Sequence, residues 1–151
     1  KSLGFNARFI ELATDINSGM PEHVAEKVTE LLNEERLAVN GARVLLIGVA
    51  YKPDVADMRE SPALDIMQIL LGKGADLRFH DPHVAEVMLD GTSHKGVELT
   101  DAELDTADLV VIVTDHKAVD FERVVARSQR IFDTRNATRH VTDGREKVHK
   151  L

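Results

Sequence analysis

The chain has 151 residues, of which 43% are hydrophobic and 30% charged, so it contains enough apolar sequence for a globular core. A net charge of -7 and an aromatic content of 4% argue against nucleic-acid binding, because phosphate backbones attract basic surfaces and single strands stack on aromatic rings. Cysteine is absent, which excludes thiolate metal sites here and is typical of a cytoplasmic protein, and no apolar stretch is long enough to span a membrane.

The first 40 residues predict a helical arm. Two segments with apolar residues at helical spacing meet at Pro21, which is expected to start the second helix. Within that second helix, Val24, Val28, Leu31 and Leu32 form an apolar stripe, interpreted as core or as a subunit contact. The helix is expected to end near Asn40-Gly41, and residues 41–151 are expected to form a separate domain.

The domain at 41–151 alternates between strands and helices, which predicts an α/β fold with a Rossmann-like, doubly wound parallel sheet. A helix is expected to begin at Ser61-Pro62, with serine as N-cap and proline in the first helical position. Strands are predicted at 43–50, 76–82, 107–116 and 128–136, and further helices at 84–90, 101–106 and 118–127. The tail from Thr138 onward is polar and is expected to be mobile at its end.

The loop after the first strand lacks the glycines of a dinucleotide-binding fingerprint. After Gly48 the chain reads VAYKP where the pattern G-x-G-x-x-G would continue. In that pattern the glycines let the backbone approach a pyrophosphate at a helix N-terminus. Because Tyr51, Lys52 and Pro53 block this approach, we expect that the domain does not hold NAD in the standard way. The Lys52 ammonium would contact phosphate instead, although it could also be an ordinary solvated lysine.

Polar residues also follow the other predicted strands, at the edge where open parallel sheets bind ligands. Asp81, His116 and Arg135 lie there, and each has a structural alternative. Asp81 could form a strand-terminating turn with Pro82, and His116 could cap the following helix. Arg135 could pair with Asp133 or with a helix terminus.

Two further features have structural interpretations. Arg59 and Glu60 are interpreted as a surface ion pair, which contributes little to stability. The seven histidines show no ligand spacing such as H-E-x-x-H, so no metal site is predicted.

Four segments together resemble one protein family. GVAYKPDVADMRESPALDI is similar to the hallmark of the C-terminal domain of UDP-glucose/GDP-mannose dehydrogenases, the nucleotide-sugar 6-dehydrogenases, whose pattern is roughly G-x-A-[FY]-K-x-D-x-x-D-x-R-E-S. FHDPHV, VIVTDHKAVDF and IFDTRN resemble the later strands of that domain, in the same order. ARFIELATDINSGMPEHV resembles the end of the family's central helical region, so the resemblance covers nearly the whole chain.

The resemblance implies the C-terminal, UDP-sugar-binding part of an enzyme that oxidises the sugar C6 alcohol to a carboxylate with two NAD. It implies an N-terminal domain of the same enzyme that binds NAD, and a cysteine nucleophile upstream of the matched region. This chain would therefore need no cofactor and would be inactive alone. The helical arm would form a homodimer.

By the same resemblance, three residues match positions that face the nucleotide-sugar: Tyr51, Lys52 and Arg135. Arg59, Glu60 and Ser61 match motif positions that are interpreted as structural. The pair Asp115-His116 resembles the N-acetylhexosamine branch of the family more than the UDP-glucose branch, and GDP-mannose fits this pattern less well.

Two functions of other classes remain open from the residues. The chain could be a stand-alone nucleotide-binding or regulatory module without catalysis. It could also be an assembly element in which the helical arm pairs two copies.

Overall fold

The chain folds around a five-stranded parallel sheet. This computed structural model describes residues 2–57, 59 and 61–151, without the side chains of 2–7 and 14–17. In chain order the elements are α1 (Ser2–Glu34), β1 (Arg43–Ile47), α2 (Pro62–Gly72), β2 (Asp76–His80), β3 (Glu86–Leu89), β4 (Thr92–Lys95), α3 (Asp101–Thr106), β5 (Leu109–Ile112), α4 (Phe121–Arg127), β6 (Ile131–Asp133), a 3₁₀ turn (Arg145–Lys147) and β7 (Val148–Lys150). None of the described helices is long and apolar enough to cross a bilayer.

The order of the strands in the sheet is β2-β1-β5-β6-β7, and every neighbouring pair is parallel. Strands β3 and β4 form a separate antiparallel hairpin. If β3 and β4 are left out and the five remaining strands are numbered in chain order, the sheet has the 2-1-3-4-5 order of a doubly wound fold. In that fold the strand order reverses between the first and the third strand, which here are β1 and β5. The predicted α/β class is confirmed, and the reversal point lies between β1 and β5.

Both faces of the sheet are covered, which explains the continuous apolar runs of its central strands. In β1, Val44 and Leu46 pack on the face that carries α1 and α2. Leu45 and Ile47 point to the opposite face, where they pack with residues of α3 and α4. Successive side chains of a strand alternate between faces, so one pentapeptide contributes to both cores.

Helix α1 is one continuous helix that contains Pro21, so the predicted restart at this residue is wrong. Proline lacks an N–H and removes one helical hydrogen bond, a local loss that the flanking turns tolerate here. The helix ends at Glu34, earlier than predicted, because Arg36 adopts a left-handed φ of 59° and the N–H of Leu37 bonds the carbonyl of Leu32.

The second half of α1 packs on the sheet. Its apolar stripe belongs to the same buried core as α2 and β1, as the core interpretation of that stripe predicts. The boundary at residue 40 remains a prediction.

The helix predicted at 84–90 is wrong, because these residues contribute instead to the β3–β4 hairpin. Asp90 and Gly91 form its two-residue turn with φ of 48° and 77°. Positive φ at both positions is typical of a type I′ turn, which joins antiparallel strands, and Asp-Gly is one of the sequences that favour it.

The prediction of a mobile tail is also wrong. Strand β7 extends the sheet beyond β6, with Val148 opposite Ile131 and Lys150 opposite Asp133. The pairing uses backbone groups, so a short polar segment can form it without an apolar pattern.

Gly48 lies at the reversal point and has no room for a side chain. Its φ is 89°, and a Cβ built there would lie 2.6 Å from the Cβ and carbonyl oxygen of Thr114. Its N–H donates to the carbonyl of His80, so the chain leaves β1 between the ends of its two neighbours. The glycine therefore serves close strand packing.

Gly48→Ala should lower the free energy of unfolding by about 2–5 kcal/mol, because it adds backbone strain and a steric overlap. Urea unfolding followed by circular dichroism measures the change. Gly91→Ala is the matched control, because Gly91 also has a positive φ but a Cβ at this position would meet no atom within 4 Å beyond its two chain neighbours. It should cost about 1 kcal/mol. Equal losses would show that packing against Thr114 is unimportant.

Candidate functional site

A hollow of about 450 Å³ opens at the carboxyl edge of the sheet, beside α1. This carboxyl-edge hollow has an apolar wall that includes Pro21, Val24, Ile66 and Val113. Its polar groups include Tyr51 after β1 and Thr134 and Arg135 after β6. Its volume lies in the range of small-molecule sites, and it lies at the edge where doubly wound sheets bind ligands.

The backbone of Val49 and Ala50, next to the hollow, is fully hydrogen-bonded by side chains. Both N–H groups donate to Oδ2 of Asp81, at 2.8 and 3.1 Å. The Val49 carbonyl accepts from the Ser61 hydroxyl at 2.7 Å, and the Ala50 carbonyl accepts from the Thr114 hydroxyl at 2.8 Å. In a dinucleotide-binding loop such N–H groups bind phosphate, but here an internal carboxylate takes their place.

Ser61 is the N-cap of α2, as predicted from the sequence, and its hydroxyl also bonds the Val49 carbonyl, a contact that was not predicted. Thr114 was not predicted to have a role either. The available signal was a buried hydroxyl directly after an apolar strand.

Asp81 is ionised in this network. Burial alone would raise the pKa of its carboxyl group. Hydrogen bonds from the backbone of Val49, His83 and Ala50 and from the ring of His116 outweigh burial and lower that pKa below 3.8. Asp81 was interpreted as a turn residue, and its Oδ1 does accept the His83 N–H at 2.8 Å, but the carboxylate also joins β2 to the loop after β1.

His116 is completely buried and connects Asp81 to the same loop. Its Nε2 lies 2.8 Å from Oδ2 of Asp81, and its Nδ1 accepts the backbone N–H of Asp54 at 2.8 Å. Because Nδ1 accepts and Asp81 is an acceptor, the ring is a neutral imidazole with its hydrogen on Nε2. The proposed cap role is wrong, since Asp120 caps α4.

A further group of potential metal ligands was missed from the sequence. Ligand atoms of Asp54, His83 and His116 lie within 4.8 Å of one another. Both ring nitrogens of His116 are already hydrogen-bonded, and Oδ1 of Asp54 accepts the Lys117 N–H at 2.7 Å. A cation would have to displace these contacts of His116 and Asp54, so the group is not a preformed metal site.

Two of the three residues predicted to contact the ligand lie in the same hollow. Tyr51 and Arg135 both line the carboxyl-edge hollow. Lys52 is not among the described lining residues, but its Nζ lies 5.7 Å from the centroid of the Tyr51 ring, within cation–π range. Lys52 is exposed, so its ammonium is available next to the hollow.

The side chain of Arg135 is half-exposed and its Nε lies 3.9 Å from Oδ1 of Asp115. The alternative pairing with Asp133 is wrong for the side chain. The Asp133 carboxylate is buried and accepts the Arg135 backbone N–H, two further N–H groups and the Thr138 hydroxyl. This fixes the backbone after β6 and leaves the guanidinium at the hollow.

Arg59 is not among the described residues that line the hollow, and it pairs with Asp57. Hydrogen bonds from Arg59 lower the pKa of the Asp57 carboxyl group to about 2. The Arg59 side chain is 88% exposed, so this pair is a surface contact. The predicted partner, Glu60, lies outside the described residues.

Asp81→Asn should lower the free energy of unfolding by about 2–4 kcal/mol at neutral pH, because the amide cannot accept all of these bonds. A lowered pKa stabilises the fold above the ordinary value of 3.8, and this contribution is lost as the pH falls through the folded-state pKa. The difference between the wild type and the variant should therefore shrink below about pH 4 in urea unfolding.

Asp101→Asn is the control, because Asp101 also has a lowered pKa, through a hydrogen bond from Arg123, but is an exposed group. It should change stability much less. A pH-independent difference for Asp81→Asn would contradict an ionised, buried carboxylate.

Comparisons with known proteins agree with this fold. Residues 45–140 match the model of the UDP-glucose/GDP-mannose dehydrogenase family, UDP binding domain. A UDP-N-acetyl-D-mannosamine dehydrogenase of Methanococcus maripaludis is 29% identical over 143 residues, which cover 89% of this chain and 32% of that protein. A UDP-glucose 6-dehydrogenase of Haloferax volcanii is 31% identical over 141 residues, which cover 89% of this chain and 31% of that protein.

Solved structures give the same relationship. The UDP-N-acetyl-mannosamine dehydrogenase of Staphylococcus aureus superposes with a TM-score of 0.70 at 30% identity, over 97% of this chain and 33% of that one. A UDP-glucose dehydrogenase of Pyrobaculum islandicum gives a TM-score of 0.71 at 25% identity, over 99% and 32% of the two chains. The chain spans about a third of the length of these relatives. It belongs to the UDP-glucose/GDP-mannose dehydrogenase family, through that family's UDP-binding domain.

Proposed function

We propose that this chain binds the nucleotide part of a UDP-sugar and is the C-terminal domain of an NAD-dependent nucleotide-sugar 6-dehydrogenase. The observation that carries the proposal is that Tyr51 and Arg135 share one hollow at the carboxyl edge of a sheet that belongs to a UDP-binding family. The whole enzyme would oxidise the C6 alcohol of the sugar to a carboxylate.

The chemistry of the hollow supports a nucleoside diphosphate as ligand. Its apolar wall and the Tyr51 ring offer surfaces for a planar base. The Arg135 guanidinium and the Lys52 ammonium offer positive charge for the diphosphate, on a protein whose net charge is -7. The cations thus provide a local site for one small anion.

The loop after β1 does not fit NAD bound in the dinucleotide mode. The N–H groups of Val49 and Ala50, which would meet the pyrophosphate, are bonded to Asp81. The 151 residues also contain no cysteine for a covalent step. We therefore place NAD and the nucleophile in another part of the parent enzyme, so that this chain has no dehydrogenase activity alone.

The sugar is proposed to be an N-acetylhexosamine or glucose. Relatives named for UDP-N-acetyl-D-mannosamine and for UDP-glucose both support this range. The pair Asp115-His116 favours the N-acetylhexosamine branch by resemblance. In the structure Asp115 lies near Arg135, whereas His116 is buried and cannot contact a sugar directly.

Calorimetric titration of the chain with UDP should show one site. Arg135→Ala should weaken binding about tenfold or more, because it removes a charged hydrogen-bond donor from the hollow. Lys52→Ala should weaken it about three- to tenfold, since an exposed ammonium is screened by solvent and salt.

Two matched controls separate local contacts from general charge. Arg139 lies 3.8 Å from the same Asp115 carboxylate but is not among the described lining residues. Lys117 is exposed and lies near Asp54. Arg139→Ala and Lys117→Ala should each change the affinity less than about twofold. No UDP binding by the wild type, or equal losses in all four variants, would refute the proposed site.

We further propose that α1 joins two copies of the chain. The side chains of Phe9, Ile10 and Leu12 are 65%, 63% and 58% exposed, so a described part of this helix presents uncovered apolar surface. Apolar surface concentrated on one element is typical of an interaction site. The same patch on a second copy would cover it in a two-fold arrangement.

Sedimentation equilibrium tests this assembly. The wild type should form a dimer, and Ile10→Glu should shift it to the monomer, because a charge cannot be buried in an apolar contact without a partner. Glu22→Ala changes an exposed residue of the same helix outside the patch and should leave the dimer intact. A wild type that stays monomeric at all concentrations would refute the proposed dimer.

A further inference from the structure

One buried pair of side chains holds both ends of the segment that carries Tyr51 and Lys52. At the first end, Asp81 accepts the N–H groups of Val49 and Ala50. At the second end, His116 accepts the N–H of Asp54. Because His116 also donates to Asp81, the two ends are joined through a single hydrogen-bonded unit.

The two ends differ in how much other support they have. At the first end, Ser61 and Thr114 bond the carbonyls of Val49 and Ala50. The second end lies in exposed backbone without helix or strand, where Asp54 has a left-handed φ of 62°. Besides its bond to His116, Asp54 accepts the Lys117 N–H, which comes from the residue next to the same histidine.

Exposed irregular segments open locally at little free-energy cost unless buried contacts hold them. Tyr51 and Lys52 are exposed, and their segment has buried anchors at Val49, Ala50 and the His116 ring. The Tyr51 N–H also donates to the Asp57 carbonyl at 2.6 Å, so the segment closes on itself, and the His116 ring anchors this closed loop to the buried core at Asp54.

We propose that His116 is a positioning residue, which holds Tyr51 and Lys52 in place for the ligand through its Nδ1 contact with the Asp54 backbone. It acts without touching the ligand, because its side chain is 0% exposed. The effect on ligand affinity rests on the proposed function, whereas the effect on the segment does not. Preorganisation of this kind increases affinity by reducing the ordering that binding requires.

Two substitutions separate the two contacts of the ring. In His116→Gln the side-chain NH₂ can take the place of Nε2 and keep the bond to Asp81, while the acceptor for Asp54 is lost. In His116→Asn the side-chain oxygen can take the place of Nδ1 and keep the bond from Asp54, while the donor to Asp81 is lost.

Tyr51 provides a direct optical probe of the segment. It is the single tyrosine of the chain, and tryptophan is absent, so intrinsic fluorescence reports on Tyr51 alone. Fluorescence anisotropy and quenching by acrylamide would measure the freedom and exposure of its ring with or without UDP. Amide hydrogen exchange at Asp54 would report the contact itself.

The two variants should differ in opposite directions in UDP affinity and in stability. His116→Gln should lower the Tyr51 anisotropy, speed exchange at Asp54 and weaken UDP binding about five- to tenfold, with a smaller loss of stability than His116→Asn. His116→Asn should destabilise the fold more and keep the UDP affinity within about twofold. Val124→Ala is the control for general destabilisation, because Val124 lies in the core on the sheet face opposite α1 and α2. This variant should leave the Tyr51 anisotropy unchanged.

Two results would overturn the inference. One is a Tyr51 anisotropy and Asp54 exchange rate in His116→Gln that equal those of the wild type. The other is a loosened Tyr51 with unchanged UDP affinity, which would make His116 a purely structural residue. If the wild type binds no UDP, the proposed function fails, and the anisotropy and exchange data still decide whether His116 holds the segment.

Discussion

The rest of the site depends on the carboxylate of Asp81, which accepts the two N–H groups that follow β1 and a hydrogen bond from His116. In a dinucleotide-binding sheet those N–H groups would be available to an external phosphate. Here the protein supplies its own anion, and the pKa of that carboxyl group is lowered so that it stays charged. The loop can therefore be long and carry large side chains, because its backbone no longer has to approach a ligand.

Because the Asp81 carboxylate occupies the N–H groups after β1, side chains and not backbone groups are left to face a ligand. Backbone N–H groups bind anions at short range and in a fixed direction, whereas long cationic side chains, such as those proposed here at Lys52 and Arg135, would reach a ligand from the rim of a site. Tyr51 and Arg135 come from the ends of different strands, so a ligand in the carboxyl-edge hollow would contact both strand ends. In the proposed function this chain supplies one wall of the site, and another part of the parent enzyme supplies the other.

The features that were predicted correctly have local signals in the sequence. The buried strands, the Ser61-Pro62 helix start and the α/β class follow from apolar runs and capping chemistry, which are local. Asp90-Gly91 also carried a local hairpin signal, and the helix prediction at 84–90 overlooked it. Strand β7 had no local signal, because its pairing is made by the backbone. The Asp81–His116 contact joins residues 35 positions apart, so only the folded sheet could reveal it.

A crystal structure of this chain with UDP tests the central claim most directly. The account predicts UDP in the carboxyl-edge hollow between Tyr51 and Arg135, with Asp81 still bonded to the N–H groups of Val49 and Ala50. A diphosphate bound to those N–H groups, with the Asp81 carboxylate displaced, would contradict it.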